Sequence, residues 1–224
     1  MIKNYLSTLL TTEKYSPSTQ IILKERVFNT FNSFLKVSKS GGMYAGQHFL
    51  DLGAADGALV DIARSRGLIA RGLDITDNID FEKDSLPVAD SSIDVVTLVA
   101  VIEHLHSPEN ILLEVMRVLK PGGALILVTP NWRFDYCNFY NDPTHVRPYT
   151  EISMRFLLSG FGFTRVDVVP WLVCKPSWMW HAPFAFHLAR CLPFRGTSSS
   201  FIPSFLKGQS KSILAIGFKH TAKL

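Results

Sequence analysis

Four carboxylates gathered around a glycine-bearing turn are the residues of this sequence best suited to chemistry. The run Phe49-Leu50-Asp51-Leu52-Gly53-Ala54-Ala55-Asp56-Gly57 sets Asp51 and Asp56 close together, while Gly53 and Gly57 allow a backbone to approach a ligand closely. Asp74 lies 21 residues after Gly53, where an acid can accept hydrogen bonds from two ribose hydroxyls, and Asp80 follows it. Two like charges a few ångströms apart cost on the order of a kcal/mol even at a surface-like dielectric. An anionic pyrophosphate is therefore disfavoured at this turn, and the spacing is not GxGxxG. A cationic nucleoside without phosphates fits better. The plainer alternative makes Asp51 and Asp56 a capping pair that stabilises the dipole of the next helix.

A second group of reactive side chains lies further along. Glu103 and His104 follow an apolar run, and Asp142-Pro143-Thr144-His145-Val146-Arg147-Pro148-Tyr149 leads into a helix start at Thr150. Histidine titrates at about 6.5, within reach of general-base work. His145 is the expected catalytic base, with Asp142 to orient it and Tyr136, Tyr140 and Arg147 lining the acceptor site beside His104. The competing reading is that a histidine in a proline-bounded turn only hydrogen-bonds its own loop. The three cysteines, Cys137, Cys174 and Cys191, have neither CxxC spacing nor nearby histidines, and no metal site is expected.

These residues have to be held by a scaffold. Ser18 can cap a helix with Ile21, Phe28, Phe31 and Leu35 on one face, stopped by Gly41 and Gly42, so residues 1–42 read as an N-terminal helical extension. After it, short apolar runs alternate with amphipathic stretches. Strands are expected at His48–Leu52, Leu68–Asp74, Ile79–Glu82, Ile93–Val101, Ala124–Thr129, Phe163–Val169 and Ser212–Phe218, with helices at Asp56–Arg66, Pro108–Leu119 and from Thr150 to Leu158. That alternation signals an α/β, Rossmann-like, doubly wound sheet of seven strands with helices on both faces. It is mostly parallel, with an antiparallel last strand. The run Val95-Val96-Thr97-Leu98-Val99-Ala100-Val101 lacks polar alternation, as a central strand covered on both faces should. Lys120-Pro121-Gly122-Gly123 supplies the turn that ends the helix before it. In open sheets of this kind the ligand sits beyond the carboxyl ends of the strands, which is where both reactive groups fall.

S-adenosylmethionine, with ribose, adenine, sulfonium and ammonium groups, matches the negative field of Asp51, Asp56, Asp74 and Asp80. The sequence also resembles the class I S-adenosylmethionine-dependent methyltransferases over roughly residues 46–170. The Phe49–Gly57 run looks like that family's first motif with Ala55 in place of a middle glycine. Asp74 stands at its ribose-binding acid, Leu86-Pro87-Val88 with Ile93-Asp94-Val95-Val96 looks like its LPF…FD stretch, and Val118–Gly123 looks like its RVLKPGG turn. The resemblance implies that residues 43–224 form a methyltransferase domain whose cofactor is held by Asp51, Gly53, Ala54, Gly57, Asp74, Ile75 and Glu103. It places the adenine contact at Asp80 and Phe81, with Glu82 and Asp84 as rivals, and the family often carries a pair like Glu103-His104 beside the transferred methyl. Similar D-P-x-H-x-R stretches occur in members acting on glycans. The expected reaction is O-methylation of a sugar or lipid-linked glycan intermediate. The rivals are methylation in quinone or other small-molecule biosynthesis, and a non-catalytic scaffold that binds a membrane or partner.

Composition bounds the remaining choices. At 224 residues, 47% hydrophobic and 19% charged, the chain must bury a sizeable core and is neither disordered nor a coiled coil. The net charge of +4 hides an asymmetry: from Trp171 onward there are seven Lys or Arg and no acid, against 16 basic and 19 acidic residues before it. Within that block, Trp178, Trp180, Phe184, Phe186 and Phe194 stand among Arg190, Arg195, Lys207 and Lys211, which reads as a basic, aromatic lid inserted at about 171–211. Such a lid suits a small-molecule or lipid-linked acceptor and an anionic membrane surface. Nucleic acid ranks below these because the aromatics cluster with aliphatic residues and are not interleaved with the cations. Met1–Thr12 lacks the apolar core of a signal peptide, so the expected location is cytoplasmic and peripheral to the inner face of the membrane.

Overall fold

A computed structural model describes residues 17–38, 41–171, 191–195 and 207–221, apart from the side chains of 17–21, 195, 207 and 208. The chain runs α1 (Pro17–Val37), β1 (His48–Leu52), α2 (Ala58–Ser65), β2 (Ile69–Leu73), β3 (Ile93–Val99), α3 (Glu109–Val118), β4 (Leu119–Pro130), α4 (Trp132–Phe139), α5 (Glu151–Gly160) and β5 (Thr164–Pro170). It then continues through the short strands β6 (Phe194–Arg195) and β7 (Lys207–Gln209) to β8 (Ser212–Phe218). The sheet order is β2-β1-β3-β4-β8-β5, while β6 and β7 pair only with each other. β2, β1, β3 and β4 are mutually parallel, and β8 runs antiparallel to both β4 and β5.

The period-two direction of strand side chains builds two cores from one sheet. Leu50 and Leu52 of β1, Val96 and Leu98 of β3, and Leu125 and Leu127 of β4 join Ile111, Leu112 and Val115 of α3 and Met154 and Leu158 of α5 on one face. Phe49, Val95, Ile126 and Val128, the alternate positions, join Phe28, Phe31, Phe34 and Leu35 of α1 and Leu59, Ile62 and Ala63 of α2 on the other. The helical spacing expected for α1 thus has a physical use, since its phenylalanines cover the sheet. Pro17 opens that helix, so Ser18 lies inside it and is not its cap. Thr150 does cap α5, accepting the Ser153 N–H in a capping box.

The sheet of the described residues has six strands, and the expected count of seven is corrected. The stretch expected as a strand at Ile79–Glu82 is a turn, because side chains take the backbone groups that strand pairing would use. Asp84 Oδ2 accepts the Asp80 N–H at 2.8 Å and Asp80 Oδ1 accepts the Glu82 N–H at 3.0 Å. Asn110 Nδ2 of α3 donates to the Phe81 and Asp84 carbonyls at 3.1 and 3.0 Å. Within β4, Lys120–Gly123 forms a bulge: Ile93 pairs with Leu119, and Val95 next pairs with Ala124. Lys120 Nζ pairs there with Asp94 at 2.7 Å, and Asp94 also accepts the His48 N–H at 2.8 Å, tying the starts of β1, β3 and β4 together.

The expectations on Trp178, Trp180, Phe184, Phe186 and Arg190 fall outside the described residues. Phe194 is exposed, and Lys211 pairs with Asp135 of α4 at 2.9 Å. No helix of the described residues is long and apolar enough to cross a membrane.

Candidate active site at the carboxyl edge of the sheet

The strand order reverses at β1, with β2 on one side and β3 on the other, and the crevice beyond their carboxyl ends is where such a sheet receives a ligand. The β1–α2 turn fills one wall. Gly53 has φ +81°, and a Cβ there would fall 2.3 Å from Val101 Cγ2, so only glycine allows the turn to seat against the segment after β3. Gly57, at φ +73°, opens α2 with free space above its Cα. Ala55 also takes a left-handed conformation, φ 47°, in the place where the resembled motif has glycine. Its N–H donates to Asp74 Oδ2 at 3.0 Å, locking the first turn to the end of β2.

Asp51 faces the α1–α2 side of the sheet and is only 4% exposed. Its cross-strand partner is Thr97, whose hydroxyl donates to Asp51 Oδ1 at 2.6 Å. Burial, against that hydrogen bond, pushes the carboxyl from its ordinary 3.8 up to about 6, and the nearby charges of Asp56 and Asp74 add to the rise. Lys24 of α1 reaches Asp56 at 3.4 Å. Asp74 caps the short 3-10 turn Ile75–Asp77. Three acids around a tight turn, one of them held high by burial and by its neighbours, form a site that gains from a positive ligand. The donor set fits a cationic nucleoside.

A cleft of about 700 Å³ opens between this edge and the segment after β4. Ile75, Asp80, Phe81, His104, Leu105 and Val146 are among the residues that line it. Asp80 pairs with Lys83 at 2.8 Å, which holds its carboxyl below the usual carboxylate range. Its rival Glu82 accepts the N–H groups of His106 and Ser107 at 3.0 and 3.2 Å, so that carboxylate fastens the loop beyond His104.

Glu103 lies under the cleft, fully buried in the short 3-10 turn Ile102–His104. Thr129 Oγ1 donates to Glu103 Oε2 at 2.9 Å, while Oε1 has no hydrogen-bond partner among the described residues. Burial pushes this carboxyl up to about 7. The Glu103 carbonyl accepts the N–H groups of Val146 and Arg147 at 2.9 and 3.1 Å, which draws the 142–147 segment over the end of β3. His145 thereby stacks near His104, ring centroids 4.8 Å apart. Thr144 joins His104 to Asp142: its hydroxyl donates to Asp142 Oδ1 at 2.6 Å and lies 2.9 Å from His104 Nδ1. Arg147 donates to the His106 carbonyl at 2.9 Å. Tyr136 on α4 and Tyr140 just past its end have rings near Trp132, are 55% and 59% exposed, and neither is among the cleft-lining residues.

Thr97, Thr129 and Thr144 hold candidate site side chains in place, and none of the three is singled out by the sequence alone. Each was visible as a lone polar residue in an apolar strand, or as a hydroxyl between two singled-out side chains, but its partner comes from another element.

A family model described as a methyltransferase domain matches residues 22–168. The demethylmenaquinone methyltransferase of Tropheryma whipplei (strain Twist) is 27% identical over 133 residues, covering 52% of this chain and 52% of that protein. The ubiquinone biosynthesis O-methyltransferase of Coxiella burnetii (strain Dugway 5J108-111) is 24% identical over 107 residues, covering 40% of this chain and 46% of its own length. The chain thus spans about half the length of these curated relatives. A crystal structure of a SAM-dependent methyltransferase from Archaeoglobus fulgidus superposes with a TM-score of 0.60 at 17% identity, covering 96% of this chain and 100% of that one.

Proposed function

The chain belongs to the class I S-adenosylmethionine-dependent methyltransferase family, and from that premise we propose that it methylates a hydroxyl on a small, largely apolar acceptor of the quinone-precursor type. It is an enzyme and S-adenosylmethionine is its cosubstrate. When bound, this cosubstrate supplies a methyl group on a sulfonium, a leaving group that needs no further activation. The work left to the chain is alignment, exclusion of water and management of one proton.

Asp51, Gly53, Ala54, Gly57, Asp74 and Ile75 hold the cosubstrate in this reading, the acids through their field and the glycines through close backbone approach. Asp80 and Phe81 take the adenine end. The acceptor lies between Ile75, Leu105 and Val146, with its hydroxyl toward Glu103, His104 and His145. His145 Nδ1 faces the Phe139 carbonyl at 2.7 Å, so Nδ1 carries the proton of the neutral ring and Nε2 is free to accept one. His145 is then the base, with the Asp142 carboxylate 3.9 Å from Nε2 to stabilise the imidazolium. His104 borders the acceptor directly, Asp142 and Arg147 act on it only through the loop they hold, and Tyr136 and Tyr140, away from the cleft lining, have no part in this reading.

The observation that carries the acceptor class is the apolar wall of the cleft, and the quinone-related names of two relatives support it. A sugar or lipid-linked glycan, expected from the Asp142–Arg147 stretch alone, is less well supported. The test incubates the full chain with S-adenosylmethionine and, separately, hydroxylated quinone precursors and sugar nucleotides, then looks for a one-methylene mass gain. Methylation confined to the aromatic acceptors is expected. Turnover with sugars alone overturns the assignment.

A further inference from the structure

Three side chains with ligand atoms meet beyond the carboxyl end of β3, and one of them, His104, lines the cleft. One ligand atom from each of Glu103, His104 and His145 lies within 4.8 Å of those of the other two. The tautomers follow from the surrounding acceptors. His104 Nδ1 faces the Thr144 carbonyl at 3.2 Å and the Thr144 hydroxyl at 2.9 Å. That hydroxyl already donates to Asp142, so Nδ1 must be the donor and His104 Nε2 has the lone pair. His145 is set the same way by the Phe139 carbonyl. Thr129 takes one oxygen of Glu103 and leaves Oε1 buried without a partner among the described residues.

Such a corner is unfavourable when empty, because converging lone pairs repel one another and a buried unpartnered carboxylate oxygen costs several kcal/mol or forces neutralisation. Two histidines whose outer N–H groups are fixed by backbone carbonyls, with a carboxylate oriented by a hydroxyl, form the outer-shell pattern of a metal site. We propose that Glu103, His104 and His145 bind one divalent transition-metal cation of the zinc, cobalt or iron class at the reacting end of the cleft. Ligand atoms around an ion bound at about 2.0–2.2 Å stand roughly 3–4 Å apart, a contraction that small side-chain rotations can supply. Glu103 and the adjacent Asp142 together balance the double charge.

The cation's use rests on the methyltransferase reading above, although its binding does not. When bound, the ion would supply Lewis-acid activation of the acceptor hydroxyl, whose proton would leave to solvent, and the electron pair kept on oxygen would form the new bond to the methyl carbon as the carbon–sulfur bond breaks onto sulfur. With the ion in place His145 is a ligand, and the base role belongs to the metal-free protein.

The experiment uses the full chain freed of metal by chelation and dialysis, titrated with Zn²⁺ by calorimetry and with Co²⁺ by visible absorption. One equivalent bound, with ligand-field bands for Co²⁺, is expected, with Mg²⁺ at least tenfold weaker because two ligands are imidazoles. Glu103→Gln, His104→Ala and His145→Ala should each weaken Zn²⁺ binding by more than tenfold, and Thr129→Val by about tenfold. His145→Ala, at the partly exposed ligand, serves should the buried Glu103 variant not fold. Absence of stoichiometric binding, or binding that the variants leave unchanged, overturns the proposal. S-adenosylmethionine affinity measured on the same samples separates the two readings: lost cosubstrate binding counts against the methyltransferase assignment and leaves the metal result standing.

Discussion

At Asp51 a single buried carboxyl makes stability depend on pH. Its pKa in the fold is about 6 against an ordinary 3.8, so between those pH values the native protein retains a proton that the unfolded chain has released. The sign follows: Asp51 lowers stability as pH rises from about 4 to 6, by on the order of 3 kcal/mol, and by a constant amount above that window. Asp51→Asn should therefore be more stable than wild type above pH 6, with the difference shrinking towards pH 4 in urea titrations. S-adenosylmethionine, being cationic, favours the ionised form. Its affinity should climb as pH rises to about 6 and then level, and in Asp51→Asn it should be at least tenfold weaker and flat with pH. A variant that binds as tightly as wild type would remove Asp51 from the cofactor site. The sequence showed Asp51 as part of an acidic turn, but its burial depends on Thr97 standing opposite in β3.

The β1–α2 turn and the loop before β3 show how whole elements are held. Ala55 in the left-handed region costs about 1 kcal/mol relative to glycine. Ala55→Gly should raise the melting temperature by roughly 2–4 °C, since the N–H bond to Asp74 does not involve the methyl group. A drop would show that the Ala55 side chain packs usefully. Arg117 on α3 holds the 86–90 loop through Glu114 at 2.6 Å, Asp90 at 2.5 Å and the Val88 and Leu86 carbonyls at 2.8 and 3.0 Å. Arg117→Met leaves Glu114, 12% exposed, without its cation, and a loss of about 2–3 kcal/mol in denaturant midpoint analysis is expected. The helices and most strands were legible because their apolar periodicity reflects the face they bury. The turn at Ile79–Glu82 was not. Four residues with two apolar side chains read equally well as strand, and the balance fell to Asp84 and to Asn110, which is delivered from α3.

Across the whole molecule, α1 is part of the enzyme's core on the evidence of Phe31, fully buried and 5.4 Å from the Trp171 ring. Phe31→Ala should cost about 3–5 kcal/mol and shift the unfolding of the entire sheet, so that tryptophan fluorescence and far-ultraviolet circular dichroism move together. Two separated transitions would instead make residues 17–37 an independent appendage. In the basic C-terminal quarter Lys211 is engaged with Asp135, so its charge ties that part of the chain to α4.

The sequence by itself determined the α/β alternation, the two-faced burial of β3 and the acidic, glycine-bearing turn after β1. Each of these is written in residues close together in the chain, where periodicity and spacing carry the physics. Only the tertiary structure decided that the sheet has six strands and that His145 comes to rest against His104 and Glu103. That meeting joins segments 40 residues apart through backbone hydrogen bonds to the Glu103 carbonyl and through the Thr144 side chain. Contacts of that kind depend on where the chain folds back over the end of β3, and no local pattern encodes the fold-back.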